Sequence, residues 1–148
     1  MARVALLDVN VLVALFDPDH IHHDLAHDWF AEQRPVGWAT CPLTENGLVR
    51  VLSHPRYGQA TSRPSWYIGR LHRFCSSGHH AFWPDAVSLR DASLFPRNAA
   101  LGHRQLTDVY LLGLAKKMGG ALATFDRSIS IATVSGAAPD DLVMIAAL

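Results

Sequence analysis

Residues 4–16, VALLDVNVLVALF, decide how the rest of the chain is read. Residues 4–7 are a continuous apolar run that suits a buried strand, and Asp8 closes it. Residues 11–16 follow as a short apolar helix that stops at the Asp17-Pro18 turn signal. The acid is the anomaly, because an isolated carboxylate costs several kcal/mol to bury without a partner.

Outward from this stretch, short β-type runs alternate with helical ones. The strands are expected at residues 4–7, 37–39, 81–83, 121–124 and 143–145. Residues 22–33 place Leu25, Ala26, Trp29 and Phe30 on one helical face, and Pro42 starts a third helix with Leu43, Leu48, Val49 and Leu52 inward. Further helices are expected at residues 66–75, 89–95 and 108–118, the last capped by Thr107, apolar nearly all round and stopped by Gly119-Gly120. Residues 58–64 and 96–104 read as loops. Such alternation is the pattern of an α/β layer structure with a parallel sheet.

A chain of 148 residues with 49% hydrophobic content suits one domain, residues 1–148, with a full core. The formal net charge is zero, so attraction to a nucleic acid must come from a local basic patch. Two cysteines, Cys41 and Cys75, are too few for a disulfide scaffold or a cysteine-rich zinc site, and are expected as free, buried thiols in a reducing compartment. Neither a signal peptide nor a membrane-length apolar run is present, and the expectation is a cytoplasmic protein.

Asp8 has company. Glu45 in PLTENGLVRVL, Asp108 in QLTDVYLLGLA and Asp126 in ALATFDRS each sit at or near the end of an otherwise apolar element. In open parallel sheets, ligand sites gather at the carboxyl ends of strands, where Asp8 and Asp126 lie. Asp108 opens a helix, and Glu45 lies one turn into another, so all four acids can converge at that end of the sheet. Singly, each reads equally as a turn, a helix start or a solvated helix position. Together they repel, by about 4 kcal/mol for a pair roughly 4 Å apart at an effective dielectric near 20. An all-oxygen cluster of this kind calls for Mg²⁺ or Mn²⁺.

At this point the sequence resembles a known family. LLDVNVLVALFDPDHIHHDLAHDWF, GWATCPLTENGLVRVL and LTDVYLLGLAKKMGGALATFDRSI, in that order, are similar to the PIN-domain ribonucleases, particularly the toxin subunits of bacterial VapBC toxin–antitoxin pairs. The resemblance implies a three-layer α/β/α fold around a mainly parallel five-stranded sheet. It further implies cleavage of RNA (tRNA, rRNA or mRNA) by metal-activated water, with Mg²⁺, or Mn²⁺, as the ion. On that reading Asp8 and Asp108 bind the principal ion, while Glu45 and Asp126 hold a second one or position the water. Asn10 and Thr124 then orient the ligating acids. The implied partners are a VapB-like antitoxin, whose tail covers the acidic groove, and a second copy of the chain in a homodimer. Residues 57–104 align least, and no site residue is carried over there.

Eleven of the 13 basic residues are arginine, a choice that favours bidentate phosphate contacts. Arg63, Trp66, Arg70 and Arg73 recur at helical spacing opposite Tyr67, Leu71, Phe74 and Cys75, a face that could grip single-stranded RNA. A solvated helix face, or an oligomer or antitoxin surface, fits the same residues and carries more weight. His20, His22, His23 and His27 crowd one helix start, where the i, i+4 pair His23 and His27 could hold zinc. Without a Cys or Glu to complete a motif, packing beside Trp29 is the favoured reading, and His79-His80 is read likewise. Three rival functions remain. A haloacid-dehalogenase-like phosphatase needs a second acid where Asn10 stands. A non-catalytic PIN-like RNA- or protein-binding module has no need of all four acids, and a metal-dependent DNA nuclease shares their chemistry.

Overall fold

Five short strands form one sheet in which every pairing is parallel: β1 (Ala5–Leu7), β2 (Trp38–Thr40), β3 (His80–Phe82), β4 (Ala121–Thr124) and β5 (Leu142–Met144). Their order across the sheet is β3-β2-β1-β4-β5. The computed structural model describes residues 2–57 and 63–147. Parallel neighbours need crossovers, which helices supply. The first crossover holds α1 (Val9–Phe16) and α2 (His23–Gln33), the second α3 (Pro42–Leu52) and α4 (Pro64–Cys75), and the third α5 (Leu106–Lys117).

Strand side chains alternate between the two faces of the sheet. Ala5, Leu7, Trp38 and Ala123 join one apolar cluster with Val11, Leu15, Phe30, Leu48 and Leu71 of α1 to α4. Leu6, Ala39 and Leu122 point the other way, into a second cluster with Val109, Leu112 and Ala115 of α5. The three-layer α/β/α arrangement with a five-stranded sheet is therefore as expected. Each strand lies within one residue of its expected place.

The helices differ from expectation where side chains compete for the backbone. Helix α1 begins at Val9, because Asp8 caps it by accepting the Val11 N–H at 2.9 Å. Residues 89–95 form turns rather than a helix. There Asp91 Oδ1 accepts the Ser93 N–H at 3.0 Å, and Ser88 Oγ accepts the Arg90 N–H at 3.2 Å. Such local bonds satisfy amides outside a helix, and Pro96 steers Phe95 away from helical geometry. The buried Phe95 ring instead lies against Gly113 of α5, where any side chain would collide with it. Thr107 is not the cap of α5. A 3₁₀ turn, His103–Gln105, runs directly into the helix, so Thr107 and Asp108 fall within its first turn and the expected loop 96–104 ends in that 3₁₀ turn. Of the expected loop 58–64, residues 58–62 lie outside the described residues and Pro64 opens α4.

The chain leaves β1 for β2 on one side of the sheet and later returns as β4 on the other. A reversal of this kind opens a crevice at the carboxyl ends of the two strands flanking it. Asp8 follows β1 and Thr124 ends β4, so both stand at that crevice.

Candidate metal centre

Asp8 is 3% exposed, and both its carboxylate oxygens are held. Oδ1 accepts the Val11 N–H at 2.9 Å. The Thr124 hydroxyl donates to Oδ2 at 2.5 Å, across 116 positions of sequence. The Asp8 N–H continues the β1–β4 ladder to the Ala123 carbonyl at 3.1 Å, so the sheet sets the position of the acid. Burial pushes the Asp8 carboxyl above its ordinary pKa against the pull of Thr124 and the backbone amides, and the charge of Asp126 adds to the rise.

Thr124 serves two acids. Its hydroxyl oxygen also accepts the Asp126 N–H at 3.0 Å, which ties the turn after β4 to the Asp8 carboxylate. Asp126 Oδ1 accepts the Ser128 N–H at 2.8 Å and its hydroxyl at 2.7 Å, and these bonds keep Asp126 ionised below the usual carboxylate range. Asp108 reaches the same place from the first turn of α5 on the second layer. Burial, then the charges of Asp8 and Asp126, then a hydrogen bond to Asp126 push its carboxyl up to about 7.

Three carboxylates from three elements thus crowd one crevice, and one of them, Asp108, retains a proton toward neutral pH through burial first and the charges of the other two next. A hard, oxygen-seeking divalent cation is the group such a donor set fits, since it replaces that proton and offsets the mutual repulsion. Asp8, Asp108 and Asp126 are the residues able to hold it.

Glu45 is held by different groups. It stands in the first turn of α3, where it accepts the Thr40 hydroxyl at 2.6 Å. Thr40 ends β2, so this acid is tied to the same carboxyl edge of the sheet one strand over from Asp8. The same hydroxyl lies 2.7 Å from His80 Nε2 on β3. The contacts of Glu45 among the described residues are with this group rather than with the three aspartates. The expected convergence of four acids is thus drawn as three together and one beside them. Asn10, second in α1, contributes its backbone N–H to Asp8, and its side chain is exposed.

A cleft of about 440 Å³ lined by Val9, Asn46, Gly47, Arg50, Asp85 and Thr107 adjoins Asp8 and Asp108 through their chain neighbours. Arg50 and Asp85 were missing from the sequence reading. Arg50 lies on the exposed side of α3, and Asp85 falls in the poorly aligned stretch, so neither carries a signal in spacing.

On α4, Tyr67 and Leu71 are buried as expected, while Arg63, Trp66 and Arg73 are exposed. Arg70 is partly engaged within the chain, its guanidinium 4.8 Å from the Phe16 ring and 5.4 Å from the Trp66 ring. The histidines of the second helix start have a structural task. His23 Nδ1 lies 2.7 Å from the Ala14 carbonyl and His27 Nε2 2.9 Å from the Leu15 carbonyl, so both donate to the open C-terminal end of α1. Cys41 is a buried free thiol, whereas the free thiol of Cys75 is only partly buried.

The sequence matches the PIN domain family across residues 5–134. It is 43% identical over 132 residues to Ribonuclease VapC39 of Mycobacterium tuberculosis (strain ATCC 25618 / H37Rv), covering 89% of this chain and 95% of that protein. Ribonuclease VapC44 of the same strain is 43% identical over 141 residues, covering 95% of this chain and 99% of its own length. Ribonuclease VapC29, again of that strain, is 42% identical over 125 residues, or 84% and 87% of the two chains.

Proposed function

Because the chain belongs to the PIN-domain family, we propose that it is a divalent-metal-dependent endoribonuclease, the toxin of a toxin–antitoxin pair. One observation carries the reading: Asp8, Asp108 and Asp126, from three different elements, meet at the crevice between β1 and β4, where burial first and the two neighbouring charges next raise the Asp108 carboxyl to about 7. The names of the ribonuclease relatives support RNA as the substrate and a VapB-like antitoxin as the partner. A homodimer belongs to the same proposal.

Asp8, Asp108 and Asp126 would hold Mg²⁺, or Mn²⁺ in its place. That ion supplies Lewis-acid polarisation of the scissile phosphate and a water acidic enough to attack near neutral pH. Thr124 holds the Asp8 carboxylate and the Asp126 backbone N–H in fixed relative positions, so little reorganisation would accompany the reaction. Asp108 would take part as its anion, so its raised pKa would make loading pH-dependent. Glu45, beside the three aspartates, would position the attacking water or a second ion. Asn10, whose backbone N–H bonds Asp8, would orient the ligands from the start of α1. Arg50 in the adjoining cleft, together with exposed Arg63, Trp66 and Arg73 and the partly engaged Arg70, offers the cationic and aromatic surface for a single-stranded segment.

The test is incubation of the partner-free protein with total bacterial RNA and with single- and double-stranded DNA, with and without Mg²⁺ or Mn²⁺. Discrete metal-dependent cuts in RNA alone are expected. Cutting of DNA in preference would shift the reading to a DNA nuclease, and binding of RNA without cutting would leave a binding module.

A further inference from the structure

Glu45, Cys75 and His80 come from α3, the last turn of α4 and β3, far apart in sequence, yet their ligand-capable atoms all lie within 4.8 Å of one another. The parallel pairing of β2 with β3 creates the cluster: Thr40 ends β2, and its hydroxyl bridges Glu45 Oε2 at 2.6 Å and His80 Nε2 at 2.7 Å. The Cys75 thiol also reaches the Thr40 hydroxyl. The His80 ring is seated against Trp38, 4.6 Å between centroids, which limits its orientations. All three donor residues are partly buried, so the position is both sheltered and reachable.

The chemistry of this set differs from that of the aspartates. One carboxylate, one imidazole and one thiolate are a poor match for Mg²⁺ and a good one for a borderline-soft ion such as Zn²⁺. Ligands about 2.0 to 2.3 Å from zinc stand roughly 3.3 to 3.8 Å apart in a tetrahedron, so closing a 4.8 Å cluster takes about an ångström of side-chain movement. Three protein ligands leave the fourth position to water.

We propose that Glu45, Cys75 and His80 form a second, transition-metal site selective for Zn²⁺ over Mg²⁺. Ion binding there releases the thiol proton and takes over the bridging that Thr40 provides. If the nuclease reading holds, zinc at this position ties up Glu45, one of its four acids, and lowers Mg²⁺-dependent cleavage. The site itself does not depend on that reading.

The experiment is a titration of the reduced full chain with Co²⁺ as a spectroscopic substitute, followed by displacement with Zn²⁺. A thiolate-to-cobalt charge-transfer band that saturates with a single equivalent, and vanishes on adding Zn²⁺ but not Mg²⁺, is expected. Cys75→Ser should abolish the band, Cys41→Ser should retain it, and His80→Gln should weaken Co²⁺ binding by more than about tenfold, the lower end of what even an outer partner contributes. Thermal melts of each variant separate lost binding from lost folding. Absence of the band in the wild-type chain, or its persistence in folded Cys75→Ser, overturns the proposal. Because the readout is spectral, it stands apart from any failure to cut RNA.

Discussion

The Thr124 hydroxyl donates to Asp8 Oδ2 at 2.5 Å and joins the end of β4 to the end of β1. Thr124 is fully buried and serves Asp126 as well, so it couples two of the three crowded acids. Replacing it with Val keeps the shape and deletes the bond. Thr124→Val should lower divalent-ion affinity by about 10- to 100-fold, the usual effect of removing a partner that orients a ligand. It should also cost about 1–3 kcal/mol of stability, because a buried carboxylate oxygen loses its donor. Calorimetric titration with Mn²⁺ and thermal unfolding check the two effects, and unchanged affinity would remove Thr124 from the site.

Asp108 predicts a pH dependence whose sign is fixed. Its carboxyl is raised by burial and by Asp8 and Asp126 to about 7. A cation must displace that proton, so Mg²⁺ affinity should climb as pH rises toward about 7 and level off above it. Without added metal, the stability contributed by protonated Asp108 is full below the unfolded-state value and is lost as pH rises through about 7. His20 and His80, both lowered by burial, work in the opposite direction on acidification. The comparison is therefore wild type against Asp108→Asn in chelator, where the difference between their melting temperatures should shrink between pH about 4 and pH about 7 relative to its alkaline value. A constant difference would show that Asp108 titrates normally.

How much of this was readable beforehand differs from element to element. Asp8 and Asp126 were legible because each interrupts an apolar strand pattern at its carboxyl end, and the alternation of strands and helices was enough to bring those ends together. Asp108 stood out in an otherwise apolar helix. Residues 89–95 misled because a short run holding Leu89, Ala92, Leu94 and Phe95 has the apolar content of a helix, whereas Ser88, Asp91 and Ser93 satisfy the backbone locally. The partners of Glu45 were not legible at all. Thr40 meets it locally, five residues earlier, but Cys75 and His80 arrive only through the lateral pairing of β2 with β3, and strand pairing leaves no trace in local spacing.

At the opposite edge of the sheet, buried Asp141 is held by Arg3 at 2.7 Å and Lys116 at 3.2 Å. Burial alone would raise its pKa, but the Ala138 N–H and the two cations hold it down to about 2. Its stabilising effect is complete above the ordinary carboxylate range and is lost as pH falls through about 2. Asp141→Asn should therefore destabilise the fold at neutral pH, by at most about 3 kcal/mol given that both cations are partly exposed and screened. Metal affinity should be unchanged. Guanidinium unfolding at pH 7 measures the first effect, and a loss of metal binding alongside would show that the termini and the crevice are coupled.

The α4 arginines divide by their contacts. Arg63 and Arg73 are exposed, whereas Arg70 lies over Phe16 and Trp66. Arg63→Glu with Arg73→Glu should weaken RNA binding and flatten its salt dependence without shifting the melting temperature. Arg70→Glu should lower the melting temperature as well, through the lost stacking. RNA affinity unchanged at low salt in the double variant would leave α4 as a protein-binding or solvated face.

The central claim is that Asp8, Asp108 and Asp126 together hold the ion that makes this chain a ribonuclease. Single-turnover cleavage of an end-labelled RNA substrate, followed across a Mg²⁺ titration for wild type, Asp8→Asn and Asp108→Asn, tests it most directly. Saturable, Mg²⁺-dependent cutting by wild type, with none from either folded variant, is the predicted result. Undiminished cutting by either variant, or cutting that persists in chelator, would contradict it.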